Sequence, residues 1–164
     1  MDNLQLSQGG DFALASGALA NGTAAGTIKT TVIVPFTVDG QFYSKAITDN
    51  ISIVTLLPVT FGQPTDGSFT GRVGGSVRLY GVYLDVAGAV TLFPARITNV
   101  AELAAGVDTL QFPGKIKGKC CVGVLRVALT FSTTFVPGVT ALGAAGVTAT
   151  YLNLFSIPAE PLKV

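Results

Sequence analysis

The stretch TIKTTVIVPFTVDGQFYSKAITDNISIVTLL, residues 27–57, decides the fold class of this chain. It alternates β-branched residues with small polar ones, the pattern of a pleated surface with one face turned inward. Residues 27–34 read as a strand. Pro35 follows, and because proline donates no ladder hydrogen bond it marks an edge, a bulge or a strand break. Asp39-Gly40 supplies the two-residue turn that joins antiparallel strands. Residues 41–45 return, Thr48-Asp49-Asn50 turns again, and 51–57 form a further strand.

The rest of the chain repeats the same grammar. Residues 58–75 are rich in proline and glycine and read as a long loop. Residues 76–84 alternate cleanly, with Val77, Leu79, Gly81 and Tyr83 on one face and Arg78, Tyr80 and Val82 on the other. Gly88 breaks the run and 90–93 return. Only 99–106, NVAELAAG, carry a helix signal: Asn99 as cap, Glu102 three residues on, Gly106 as terminator. CCVGVLRVALT, residues 120–130, is the strongest strand, 131–135 continue it or bend away, and 147–155 form the last strand. Gly-Val-Thr-Ala occurs at 138–141 and again at 146–149, a loop followed by a strand and not a repeat array. Short strands punctuated by glycine and proline predict an all-β fold: a single β-sandwich or barrel-like, jelly-roll-like domain over 27–157 with one short helix. Residues 1–26, small and Gly/Ala/Ser-rich, predict an extended N-terminal arm with Phe12, Leu14 and Leu19 as its anchors. Residues 158–164 form a tail.

The chain has 164 residues, enough to bury roughly 70% of its unfolded surface. Hydrophobic residues make up 49% and charged ones 12%, against about 25% charged in a typical soluble domain. Charges are the usual solvent-facing groups, so the deficit predicts burial against other subunits, an obligate assembly. The uncharged run 127–159 is interrupted by Pro137, Pro158, glycines and threonines, so no membrane helix is expected. Nor are the ten-residue strands and aromatic girdles of a membrane barrel present. The first ten residues, MDNLQLSQGG, are acidic and polar and do not read as a secretory signal. A net charge of +1 argues against nucleic acid as a partner.

Little in the sequence can do chemistry. The absence of histidine removes Ser-His-Asp and Cys-His activation and imidazole metal ligands. Cys120 and Cys121 are adjacent, lack zinc spacing, point to opposite faces of a strand and read as small apolar fillers. With no disulfide framework, nothing requires an oxidising compartment. The carboxylates are scattered, and Asp39, Asp49 and Asp66 sit at turn positions where Asx hydrogen bonding accounts for them. GQPTDGS, residues 62–68, has phosphate-loop spacing but lacks the lysine and the following helix. No catalytic residue, metal or cofactor is therefore expected. Two surface readings remain. Lys115, Lys117 and Lys119 alternate along PGKIKGKCC and would share one face of an extended segment, either a solvated edge that blocks strand pairing or a basic strip against an acidic partner. A sugar-stacking platform, in a chain without tryptophan, would rest on Tyr43, Tyr80 or Tyr83.

Two segments carry a resemblance. GTIKTTVIVPFTVDGQFYSKAITDNISI and CCVGVLRVALTFSTTFVPGVTALGAAGVTATYLNLFSIP resemble small virion structural proteins of tailed bacteriophages. The matching positions are Ile28-Lys29-Thr30-Thr31, Asp39-Gly40, Phe42-Tyr43, Lys45, Thr48-Asp49-Asn50 and residues 138–151; residues 58–112 match nothing of the kind. The resemblance implies a non-enzymatic, β-rich component of the particle, of the head-decoration (cement) or fibre kind. The leading expectation is a capsid decoration protein, a homotrimer made in the host cytoplasm and resident in the virion, which binds the major capsid protein and strengthens the shell. The alternative is a head or tail fibre module that binds host surface glycans. An extracellular β-sandwich lectin is a third reading, weakened by the lack of a signal sequence.

Overall fold

The computed structural model describes residues 10–53 and 68–153. The elements run β1 (Leu19–Asn21), β2 (Thr27–Thr30), β3 (Val34–Val38), β4 (Gln41–Lys45), β5 (Thr48–Ser52), β6 (Phe69–Thr70), β7 (Ser76–Leu84), β8 (Val90–Asn99), α1 (Val100–Ala104), β9 (Cys120–Leu129), β10 (Thr134–Phe135) and β11 (Val147–Asn153). All strand pairings among them are antiparallel. Among the described residues the fold is all-β, several antiparallel sheets with one short helix, and no sheet closes into a barrel.

The largest sheet has the order β11-β9-β7-β8. Its central strands are the most apolar alternating runs: β7 is buried at all nine residues and β9 at eight of ten. The alternation read in 76–84 is real, but both faces are covered. Tyr80, Val82 and Leu84 enter the main core with Leu125, Val127 and Leu129, while Val77 and Leu79 enter a smaller cluster with Ala95, Leu110 and Val124, beneath Val100 and Leu103 of α1. Fully burying each such side chain is worth about 1.5–3 kcal/mol, which makes these strands the stable centre of the domain. β8 extends beyond the expected 90–93 to Asn99, and as the edge strand it tolerates Pro94. Residues 131–133 bend away from β9, and β10 then pairs with β6, setting Phe69, Tyr80 and Phe135 in one aromatic cluster with centroids 5.8–6.4 Å apart.

The helix follows its sequence signals. Asn99 Oδ1 accepts from Ala101 N at 2.8 Å, and Asn99 Nδ2 donates to the Val73 carbonyl at 2.9 Å. At the other end Gly106 is left-handed (φ 70°), Gly106 N donates to Leu103 O, and Val107 N donates to Glu102 O. Those two bonds satisfy carbonyls that a helix end would otherwise leave open.

Residues 10–53 form one bent, three-stranded meander. Val38 faces Gln41 across Asp39 (φ 50°) and Gly40 (φ 77°), the left-handed pair of a type I′ hairpin turn. On the other side of β2 and β3, Leu19 faces Thr30 and Ala13 faces Phe36, in one shared register. All three strands break at the same level, at 15–18, 31–33 and 46–47, so the meander turns a corner and its two halves are separate sheets. Its inner residues Ile28, Val34, Phe36 and Val38 share the main core with the four-stranded sheet.

The expected extended arm is corrected by this register: from Gly10 onward the N-terminal residues run along the meander as its third segment, paired through the Ala13–Phe36 bridge and β1. Leu19, read as an anchor for a neighbour, is 6% exposed and lies in the chain's own core. Gly123 makes room for it, since a Cβ there would meet Leu19 Cδ1 at 2.6 Å. Thr48-Asp49-Asn50 is also not a turn but the start of β5, with Asn50 in a left-handed kink (φ 53°). The polar side chains that suggest a turn serve a different one: Asp49 accepts from Thr23 N and Oγ1, and Asn50 Oδ1 from Ala24 N. These bonds from Thr23 lower the Asp49 pKa. The end of the strand expected over 51–57, most of the 58–75 loop and the tail 158–164 lie outside the described residues.

Candidate functional site

The corner of the meander places one face of three strands on the outside. Phe12 and Thr37 exchange backbone bonds (Phe12 N to Thr37 O, 3.2 Å; Thr37 N to Phe12 O, 2.8 Å), and Thr37 faces Phe42 across the hairpin. The next outward row is Leu14, Pro35 and Ser44, tied by Leu14 N to Pro35 O at 2.9 Å. The inward row between them is Ala13, Phe36 and Tyr43, with the two rings 5.7 Å apart. Strand alternation dictates the result: burying Ala13 and Phe36 turns Phe12, Leu14, Pro35 and Phe42 outward. Phe12 is 44%, Leu14 53% and Phe42 66% exposed. No ionisable side chain stands in either row. Ile33 and Ile47 extend the apolar surface at the corner, also exposed. An uncharged outward face of this composition is a candidate contact surface.

Of the residues singled out in the sequence, Phe12 and Leu14 are brought together here, joined by Phe42 and Pro35. The last two were legible only as hairpin residues, because their outward direction depends on the partner strand 12–14. Lys115, Lys117 and Lys119 are not aligned on one face. Lys119 N closes a turn onto Ile116 O through left-handed Gly118, and Lys119 Nζ turns inward to Asp85 Oδ2 (3.5 Å) and Thr91 Oγ1 (3.2 Å). Lys115 and Lys117 remain exposed. Tyr80 and Tyr83 are buried and present no ring to solvent, and Tyr83 instead donates its hydroxyl to Gly114 O at 2.6 Å.

Among the described residues, two concavities lie elsewhere. One, of about 440 Å³, is apolar and lined by Gly75, Val100, Ala128, Phe131 and Thr148 among others. The other, of about 230 Å³, lies along residues 21–27 and 141–143. Neither lining includes an ionisable side chain. Cys120 and Cys121 are buried and unpaired, and burial pushes their thiols up to about 12 and about 11. Arg78, 3% exposed, donates Nε to Ala95 O at 2.7 Å and stacks over Tyr80, so it serves the core; its burial lowers its pKa. Among the described residues no three His, Cys, Asp or Glu side chains gather where a metal could be held, and no helix is long and apolar enough to cross a membrane. No family model matches the chain, and no curated protein or solved structure is significantly similar to it.

Proposed function

We propose that this chain is a structural subunit of a virus particle: a head decoration protein of the tailed-phage kind that works as a multimer, most simply a homotrimer. On this reading it is made in the host cytoplasm, resides in the virion, and packs against copies of itself and the major capsid protein. Its fold is read as a two-layered, jelly-roll-like sandwich, with the meander as one layer and the four-stranded sheet as the other. That assignment is supported by the single core the two share. The observation that carries the functional reading is the uncharged outer face of Phe12, Leu14, Pro35 and Phe42. A chain with 12% charged residues that still leaves three large side chains, Phe12, Leu14 and Phe42, open on one face is poorly suited to life as a lone soluble domain. The resemblance of 26–53 and 120–158 to small phage virion proteins supplies the setting. Nothing in the reading calls for catalysis, a cofactor, nucleic acid or a membrane.

The test is mass spectrometry of purified particles from the genome that encodes the chain. Many copies per head, with heads that open at lower temperature when the gene is deleted, is the expected result. Absence from the particle overturns the reading. A few copies per particle, together with binding to host polysaccharide, replaces it with the fibre alternative.

A further inference from the structure

The geometry points to strand exchange: residues 10–14 of one copy leave their place on β3 and are replaced there by residues 10–14 of a second copy of this chain. The inference rests on the assembly reading above and names how the copies are joined.

Three observations carry it. The first is how lightly this segment is held. It meets β3 through three backbone bonds, Phe12 N to Thr37 O, Thr37 N to Phe12 O and Leu14 N to Pro35 O. The bond that would return from residue 35 to Leu14 cannot form, because proline has no N–H. Side-chain support comes from Thr37 Oγ1, bonded to Gly10 O (2.9 Å) and to Phe12 N (3.0 Å), and from Asp11 Oδ1, which accepts from Asp39 N (2.8 Å). Of residues 12–14 only Ala13 reaches the core. The second observation is the connector. Residues 15–18 form the corner of the meander, where Ser16 Oγ accepts from Ala18 N (3.2 Å), and Ala18 sits at φ 41°, a left-handed backbone disfavoured for a residue with a Cβ. A short strained hinge favours the exchanged form, in which it can extend. The third is the anchor. Leu19 lies in the core beside Gly123, so the exchange is confined to residues before the 15–18 corner.

Exchange costs no new kind of contact, since the incoming strand has the sequence of the one it replaces. The vacated β3 edge is a template for any strand of that sequence. Leu14 and Leu19 are five residue steps apart, so the donor reaches at most about 17 Å. The accepting β3 must therefore lie beside the donor's own, and the outer faces carrying Phe12, Leu14 and Phe42 then adjoin.

Phe12 and Thr37 are directly opposed, at the Cα separation of about 5.5 Å that a disulfide accepts. Two full-length chains of different tag mass, one carrying Phe12→Cys and the other Thr37→Cys, are refolded together and oxidised, with light scattering on the same sample. The expected result is a covalent heterodimer on a non-reducing gel, absent when either chain is oxidised alone. In a second pair, Ala18→Gly removes the hinge strain from the closed form and lowers the heterodimer fraction by about 5- to 30-fold. Multimers that yield no heterodimer overturn exchange and leave the assembly reading standing. Monomers, in the wild type as in the mixture, overturn both.

Discussion

At the scale of single residues, two features govern how the domain responds to substitution and to pH. Gly40 holds the second left-handed position of the hairpin turn, at φ 77°. Gly40→Val is expected to cost about 1–3 kcal/mol through backbone strain, read as a lower denaturant midpoint; an unchanged midpoint would show that the turn is not tight. The thiols give the second. Cys120 and Cys121 have an ordinary value near 9, and burial pushes them up to about 12 and about 11. The folded state thus holds these protons more tightly than the unfolded chain. Their contribution to stability is intact below pH 9 and is lost as the pH rises through the folded values. Tyr83 and Tyr151, also raised by burial, act in the same direction. Urea midpoints are expected to be level from pH 7 to about 8.5 and to fall from pH 9 to 11. A level midpoint up to pH 11 would mean that these groups are open to water.

At the scale of elements, the meander is where the account is most exposed to test. Leu19→Ala removes a buried side chain that packs beside Gly123, and is expected to cost about 2–5 kcal/mol in a chemical melt. A loss under about 0.5 kcal/mol, the usual size of a surface change, would return residues 10–21 to the status of a loose arm. This element was illegible in the sequence for a physical reason. Residues 10–21 are mostly Ala, Gly and Ser, which carry no β signal, and their pairing is decided by the register of β2 and β3. The elements read correctly are those where local chemistry suffices: the Asp39-Gly40 turn, the alternating 76–84, the capped helix after Asn99. Thr48-Asp49-Asn50 carries turn-type side chains, yet it lies in a strand: besides the local bond from Asn50 N to Asp49 Oδ1, Asp49 and Asn50 satisfy the backbone of 23–24. The candidate face was half legible. Phe12 and Leu14 stand out in a weak sequence context, whereas Phe42 and Pro35 join them only once the third strand is in place.

At the scale of the whole molecule, composition and geometry meet. On the proposed assembly reading, the charge deficit calls for covered surface, and the corner of the meander is the candidate for it. An uncharged face of Phe12, Leu14, Pro35 and Phe42, opposite the core side of the same strands, lets one side of each strand hold the subunit together and leaves the other for a neighbour. Burying a Phe or Leu fully is worth about 1.5–3 kcal/mol, enough for a few such side chains to anchor an interface. The most direct measurement is the molar mass in solution by light scattering, for the wild-type chain and for the double variant Leu14→Glu/Phe42→Glu. Both positions are solvent-facing, so the variant should keep its melting temperature. The account predicts a wild-type multimer, a trimer, at micromolar concentration and a folded monomer for the variant. A wild type that stays monomeric, or a doubly charged variant that assembles as well as the wild type, would contradict it.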